Sequence, residues 1–199
     1  MRTVTRFVLL MAIPAALLGG PRSTFDAAAA APAVRVGPII LFQADSRVQL
    51  DLIRWAVDRY EDAGLRLPQS VLVFHDDEAD CRSRRGYFTT GRVDLCTGTR
   101  DDAQVRDTLL HELAHAWTVA NLTVAERAAF MQLRGLSSWD SEDAIWPQRG
   151  FEQVAEVISW TLGERILSAE IPDHEPEAML AAYEVLTGMT PPAGPFAVA

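Results

Sequence analysis

The chain of 199 residues contains no lysine, and all 18 of its basic residues are arginine. They are outnumbered by 27 acidic residues, so the formal net charge is −9. A chain with this deficit of positive charge is ill suited to bind nucleic acid or an anionic membrane. The absence of lysine is a compositional bias typical of GC-rich bacterial genomes, and it says nothing about mechanism.

The sequence also lacks a long uninterrupted apolar run. The longest apolar segment, residues 7–18, contains Pro14 and is short of the roughly 20 residues that span a bilayer. Arg2 and Arg6 precede it, and an alanine-rich stretch ending at Ala33 follows it. This order predicts a secretory signal peptide over residues 1–33, with an uncleaved anchor as the alternative. No cysteine stands near the end of the segment, which disfavours a lipoprotein anchor.

Removal of residues 1–33 would leave 166 residues with a net charge of −11, because three arginines and one aspartate are lost. That length is typical of one domain. The sequence therefore predicts a secreted bacterial protein with a single domain over residues 34–190 and a flexible, proline-rich tail over residues 191–199. We expect no nucleic acid partner and no stable membrane anchor after signal cleavage.

Cysteine is scarce, since Cys81 and Cys96 are the only two. An even number in an exported chain predicts a disulfide. The two positions are 15 residues apart with Gly86 and Gly91 between them, which suits the arms of a hairpin. A loop of this length is stabilised by about 3 kcal/mol in the chain-entropy description. The alternative is a pair of free, buried thiols.

Histidine is scarce as well, with four in the chain, yet two of them stand close together in residues 108–117, T-L-L-H-E-L-A-H-A-W. His111 and His115 are four residues apart, so on a helix they share one face and can bind one zinc ion. Glu112 between them can act as general base toward a water molecule. The uncharged flanks predict a buried helix. The alternative is an ordinary amphipathic helix with two surface histidines.

A catalytic zinc site typically needs a third protein ligand. Residues 151–160 read F-E-Q-V-A-E-V-I-S-W, so Glu152 and Glu156 are also four residues apart on an apolar helix. Neither has an arginine four residues further on, and two like charges at this spacing destabilise a helix unless a cation intervenes. A zinc ion would be such a cation. The alternative is a pair of solvated helix-face acids.

With these two motifs, residues 85–165 resemble the gluzincins, zinc metallopeptidases with H-E-x-x-H on one helix and E-x-x-x-[DE] on the next long helix. The resemblance implies one Zn²⁺ per chain, held by His111, His115 and Glu152. It implies that Glu112 is the catalytic base and that Glu156 supports a ligand histidine from behind. The metzincin pattern is excluded, because Asn121 occupies the position of its third histidine.

No clear match exists for the side chain that often stabilises the oxyanion in gluzincins. Tyr87, Arg149, His174 and Tyr183 are candidates by residue type alone. His75 and His174 are interpreted as solvated loop residues rather than metal ligands.

The predicted fold class is α+β: a small, zincin-like, helix-rich domain with a short sheet or hairpin before the metal-binding helix. Periodicity and capping signals predict helices over residues 46–63, from about 101 to 120, 123–135, 151–168 and 176–188. They predict a strand over residues 70–74 and a hairpin over residues 87–95 that turns near Gly91. Residues 136–149 are expected to form a loop.

The expected function is hydrolysis of a peptide or protein substrate outside the cell by a metal-activated water. Residues 93–97, next to the metal helix, are expected to pair with an extended peptide, as in zincins generally. One alternative is a non-catalytic zinc-binding protein of the cell envelope, which would not need Glu112. A second alternative is a structural or interaction domain that binds no metal.

Overall fold

The computed structural model describes residues 33–42, 46–81, 84–98, 100–163 and 171–192. Within these residues the strands are Val34–Val36 (β1), Ile39–Leu41 (β2), Ser70–His75 (β3), Gly86–Thr89 (β4) and Arg92–Cys96 (β5). The helices are Arg47–Asp62 (α1), Asp102–Asn121 (α2), Val124–Leu133 (α3), Gly150–Leu162 (α4) and Pro176–Thr187 (α5), with short 3-10 turns at Glu78–Cys81 and Trp146–Gln148. The domain is therefore α+β, as predicted. The predicted signal peptide and tail lie almost entirely outside the described residues.

The strands form one mixed sheet in the order β1-β2-β3-β5-β4. β2, β3 and β5 run parallel, while β1 and β4 are antiparallel to their neighbours and form the two edges. β1 and β2 were not predicted from the sequence. Each has three residues, which is too few for an alternating apolar pattern to be recognised.

β5 lies inside the sheet, where β3 pairs with one side of it and β4 with the other. The expectation that residues 93–97 pair with a peptide is therefore wrong, because the backbone groups of β5 already have partners. The edge strand of the hairpin is β4. Helix α2 packs against both β4 and β5, so this edge of the sheet lies beside the H-E-x-x-H motif.

Side chains cap the starts of α1, α2 and α3. The side chain of Ser46 accepts a hydrogen bond from the backbone of α1, and Asp101 does the same for α2. At the start of α3, Thr123 and Glu126 form a capping box. At the end of α5, Gly188 adopts φ of +65°, a left-handed conformation that favours glycine.

Helix α4 differs from its prediction at both ends. It begins at Gly150 and ends at Leu162, because Gly163 takes an extended conformation that stops the helix. The rest of the predicted range, residues 164–168, lies outside the described residues. Residues 153–162 are all buried, and α4 packs against α2, α3 and α5. A helix that is apolar on nearly all sides is expected in such a central position.

The α2–α4 pair forms the middle of the core. Leu109, Leu110 and Val154 are fully buried, together with aromatic side chains from α1 and α4. The hydroxyl of Tyr60 on α1 donates a 2.7 Å hydrogen bond to the carbonyl of Leu110, which fixes α1 against α2. The packing holds α2 and α4 rigidly, so side chains that face each other across them have defined positions.

The predicted disulfide between Cys81 and Cys96 is confirmed, with 6.1 Å between the Cα atoms. It joins the 3-10 turn at Glu78–Cys81 to the end of β5 and encloses the chain that leads into β4. A disulfide is compatible with an extracellular location. In the part of the chain that the structure describes, no helix has the length and apolarity needed to cross a membrane.

Candidate metal centre

Helix α2 presents the two histidines of the H-E-x-x-H motif side by side. The ring centroids of His111 and His115 lie 4.8 Å apart, with the rings nearly perpendicular. His115 is buried and His111 is half-buried at the floor of a cavity. The four-residue spacing thus produces the shared face that the sequence predicts.

Helix α4 crosses α2 so that both of its acids reach the histidines. One carboxylate oxygen of Glu152, Oε2, lies 3.3 Å from Nε2 of His111 and 3.3 Å from Nε2 of His115. Glu156 contacts the opposite side of His111, with Oε1 3.2 Å from Nδ1. His111, His115 and Glu152 therefore form a group whose donor atoms all lie within 4.8 Å of one another.

The donor spacing fits a metal ion. In a tetrahedral site with metal–nitrogen and metal–oxygen distances of about 2.0–2.1 Å, neighbouring donor atoms lie about 3.3–3.4 Å apart. The two separations of 3.3 Å match this value. Nε2 of His111 and Oε2 of Glu152 also lie within hydrogen-bond distance of each other. The His/His/Glu group can therefore hold a metal ion.

The acids control the charge of the group. Burial would raise the pKa of Glu152, but hydrogen bonds to His111 and His115 outweigh burial and hold that pKa far below its usual range. Burial also lowers the pKa of His111, yet its bonds to Glu152 and Glu156 prevail, so the pKa of His111 is raised. For His115 burial prevails and the pKa is lowered. The arrangement thus favours an ionised Glu152, the charged form of His111 and the neutral form of His115.

The two histidines are held in different ways. His111 has Glu156 at Nδ1, which leaves Nε2 directed at Glu152. Among the described residues, Nδ1 of His115 has no hydrogen-bond partner. Its ring instead stacks on Phe151 with 4.2 Å between the centroids and 27° between the planes. Trp146 stacks more distantly over His111, with 6.1 Å between the centroids.

Glu112 packs against β4. It is 7% exposed, and a Cβ atom placed on Gly86 would lie 2.7 Å from its Oε1. Only a residue without a side chain leaves room for this carboxylate. Burial raises the pKa of Glu112 to about 7, although His111 opposes the shift. A carboxyl with a pKa near neutrality suits proton transfer at neutral pH.

The H-E-x-x-H motif borders a cavity of about 790 Å³. Strand β4 and the turn before it form one wall, helix α2 forms the floor, and the segment from Trp146 to Glu156 forms the other wall. Asp107, one turn before His111, lies inside it, and burial followed by repulsion from Glu156 raises its pKa to about 6. The volume is typical of a small-molecule or peptide site.

Of the four residues considered for oxyanion stabilisation, two line the cavity and two do not. Tyr87 and Arg149 line the cavity. Tyr183 is buried in the core, and His174 contacts the carbonyl of Ile171 instead. The interpretation of His75 as a solvated loop residue is wrong, because it ends β3 and is partly buried.

His75 binds Asp94 on the neighbouring strand. Its Nε2 lies 2.7 Å from Oδ1 of Asp94, and Arg92 donates to both oxygens of the same carboxylate. Burial would raise the pKa of Asp94, but the hydrogen bonds from Arg92 and His75 prevail and lower it. His75 therefore belongs to an ion-paired group within the sheet, outside the cavity.

Sequence reasoning missed several residues of the site. Asp107 could have been found, because it stands four residues before His111 on the same helix face. Phe151 is the immediate neighbour of Glu152, but nothing local indicates which ring it contacts. Gly86 and Trp146 reach the site only through the positions of β4 and of the loop before α4, and no local pattern predicts those positions.

Comparison of the chain with models of known protein families, with curated proteins and with solved structures gave no match.

Proposed function

We propose that the protein is a zinc-dependent metallopeptidase of the gluzincin type. The observation that carries the proposal is the convergence of two separate motifs. The histidines of H-E-x-x-H on α2 meet the first acid of E-x-x-x-E on α4, while the second acid supports His111 from its opposite side. Zinc is the proposed ion, since two imidazoles and one carboxylate with an open fourth position are typical of catalytic zinc sites.

The donor set assigns a role to each side chain. Nε2 of His111, Nε2 of His115 and Oε2 of Glu152 would hold the ion. Glu156 orients His111. Its carboxylate accepts a hydrogen bond from the Nδ1–H group, which leaves the lone pair of Nε2 for the ion. Phe151 supports His115 by stacking, where no described residue accepts a hydrogen bond from its Nδ1.

Zinc in such a site supplies Lewis-acid activation of a water molecule and of a carbonyl group. Glu112 provides the proton transfers. Its buried carboxylate takes a proton from the attacking water and returns it to the leaving amine as the peptide bond breaks. The packing of Glu112 against Gly86 fixes the carboxylate beside the histidines, which keeps the base oriented.

The substrate is proposed to lie along β4. This strand pairs with β5 on one side and forms the edge of the sheet, so its other side can accept an extended peptide. Tyr87 and Phe88 of β4 line the cavity. A peptide bound there would run past the candidate metal centre.

The proposed location is outside the cell. The predicted signal peptide supports export, and the Cys81–Cys96 disulfide is compatible with an oxidising compartment.

The decisive experiment combines zinc content with turnover. Wild-type protein and the Glu112→Gln variant should each bind about one zinc per chain, whereas His111→Ala should lose it and the control His174→Ala should keep it. Wild type should cleave a peptide mixture that Glu112→Gln leaves intact. Equal turnover of wild type and Glu112→Gln would refute the assigned base, and zinc binding without any turnover would favour the non-catalytic alternative.

A further inference from the structure

The charged side chains that line the cavity differ in their exposure to solvent. The chain carries a net charge of −9, and four acids line the cavity: Asp107, Glu112, Glu152 and Glu156. All four are buried or half-buried. Glu152 and Glu156 contact the histidines, so their charges are directed at the candidate metal centre rather than at an incoming molecule.

The exposed lining residues are arginines. Arg84 and Arg85, immediately before β4, are exposed, whereas the other residues that line the cavity are buried or half-buried. The Arg84 guanidinium lies over the Tyr87 ring, 5.7 Å from its centroid. A molecule that enters from solvent would therefore meet two positive charges before it reached the metal centre.

These two arginines lie beside the reactive end of the cavity. Arg84 and Arg85 line the same cavity as His111 and Glu112. A Cβ atom placed on Gly86, the next residue in the chain, would lie 2.7 Å from Oε1 of Glu112. A group bound by these guanidiniums would therefore lie near the reacting atoms.

A third arginine lines the cavity but is already engaged. Nε of Arg149 donates to the carbonyl of Ala144 at 2.9 Å, and Nη2 donates to the carbonyl of Glu142 at 3.3 Å. These bonds hold the loop before α4. Arg149 is therefore assigned to loop structure, and recognition falls to the pair before β4.

We propose that Arg84 and Arg85 form a carboxylate-recognition site, so that the preferred substrate is a peptide with a carboxylate close to the scissile bond. The inference rests on the proposed function for its substrate class. Guanidinium groups bind carboxylates in a forked geometry, which favours them over other cations for this purpose. The carboxylate is that of an Asp or Glu side chain or of the peptide C-terminus.

Binding to the zinc-loaded Glu112→Gln chain tests the site without any need for turnover. One pair of peptide mixtures has blocked ends and carries a single Glu or a single Gln. A second pair has no acidic side chain and carries a free or an amidated C-terminus. We expect the carboxylate member of one pair to bind about fivefold more tightly at low salt, the upper end of the range for an exposed ion pair, and to lose most of this preference at 1 M salt. The pair that shows the preference identifies the source of the carboxylate.

Two double variants, made in the Glu112→Gln background, assign the effect to residues. Arg84→Gln with Arg85→Gln should abolish the preference while zinc affinity stays unchanged. Arg47→Gln with Arg54→Gln removes the same charge from exposed positions on α1 and should preserve it. An equal preference in both double variants, no preference in either pair, or no peptide binding would overturn the inference. Cleavage by wild type without regard to charge would overturn the inference and leave the proposed peptidase function intact. Charge-selective binding with no cleavage by wild type would support the carboxylate site and overturn the proposed peptidase function.

Discussion

At the scale of single residues, Glu152 and Glu156 have the same side chain and lie on the same helix, but they are assigned different roles. They are four residues apart on α4, so their charges would repel if nothing positive lay between them. The ring of His111 lies between them, with Nε2 toward Glu152 and Nδ1 toward Glu156. Only Glu152 also contacts His115, so Glu152 is the acid that forms a possible metal-binding group with both histidines.

This geometry ranks the two acids by their effect on zinc binding. Glu152→Ala removes a proposed zinc ligand, and we expect it to abolish nearly all zinc binding. Glu156→Ala removes an orienting hydrogen bond, and we expect affinity to fall about 10- to 100-fold. Titration against a competing chelator measures both, with Glu177→Ala as a control acid on α5. Loss of the metal in Glu156→Ala, but not in Glu152→Ala, would place the ligand one helical turn later than assigned.

At the scale of secondary structure elements, the contact between β4 and α2 positions the proposed base. Gly86 leaves a gap in the strand that the Glu112 carboxylate fills. A methyl group there would lie 2.6 Å from Cγ and 2.7 Å from Oε1 of Glu112, so either the strand or the carboxylate would have to move. The three atoms nearest to such a methyl group all belong to Glu112, and none belongs to a proposed ligand.

Gly86→Ala should therefore separate catalysis from metal binding. We expect kcat/KM to fall by about 100-fold, the loss typical when a catalytic group is displaced by about 1 Å. Zinc affinity should change little. Thr89→Ala, at an exposed position of the same strand, is the matched control. Activity equal to wild type in Gly86→Ala would show that the position of Glu112 is not constrained by β4.

At the scale of the whole molecule, an ion-paired group links the central strands. Asp94 on β5 accepts hydrogen bonds from Arg92 on its own strand and pairs with His75 on β3. Its carboxylate is largely buried, and these bonds lower its pKa. Since the depressed pKa belongs to the folded state, folding is favoured wherever the carboxylate is ionised.

The stability contributed by Asp94 should thus depend on pH in a defined direction. It is present above the unfolded-state pKa of about 3.9 and is lost as pH falls further, through the lower pKa of the folded state. Asp94→Asn should lower the free energy of unfolding by about 2 kcal/mol at pH 7, the scale of hydrogen bonds to a charged group. The difference from wild type should shrink below about pH 4.

Denaturant unfolding of both proteins between pH 7 and pH 2.5 provides the test. Asp51→Asn is the control, because Asp51 pairs with exposed arginines on α1 and should cost no more than about 1 kcal/mol. A difference between wild type and Asp94→Asn that stays constant down to pH 2.5 would contradict the assignment.

The sequence by itself was sufficient for features that depend on local chemistry. Helix caps at Asp101 and Thr123 bind backbone groups of their own first turn, so they could be predicted from neighbouring residues. The shared face of His111 and His115 follows from helical periodicity alone. The disulfide was predictable because two nearby cysteines in a chain with a predicted signal peptide favour a disulfide.

Tertiary structure decided what depends on how separate elements meet. The sequence places Glu152 and Glu156 on one face of α4, but only the crossing of α4 over α2 brings one acid to Nε2 and the other to Nδ1 of His111. The pairing of β5 with β3 is likewise a contact between distant segments. It places β5 inside the sheet, so β4 and not β5 is the edge strand that a peptide could pair with. Gly86 faces Glu112 across that same junction. Contacts between residues far apart in the chain leave no periodic signal in either segment, because the pattern within a segment records which of its faces is buried and not which element covers that face.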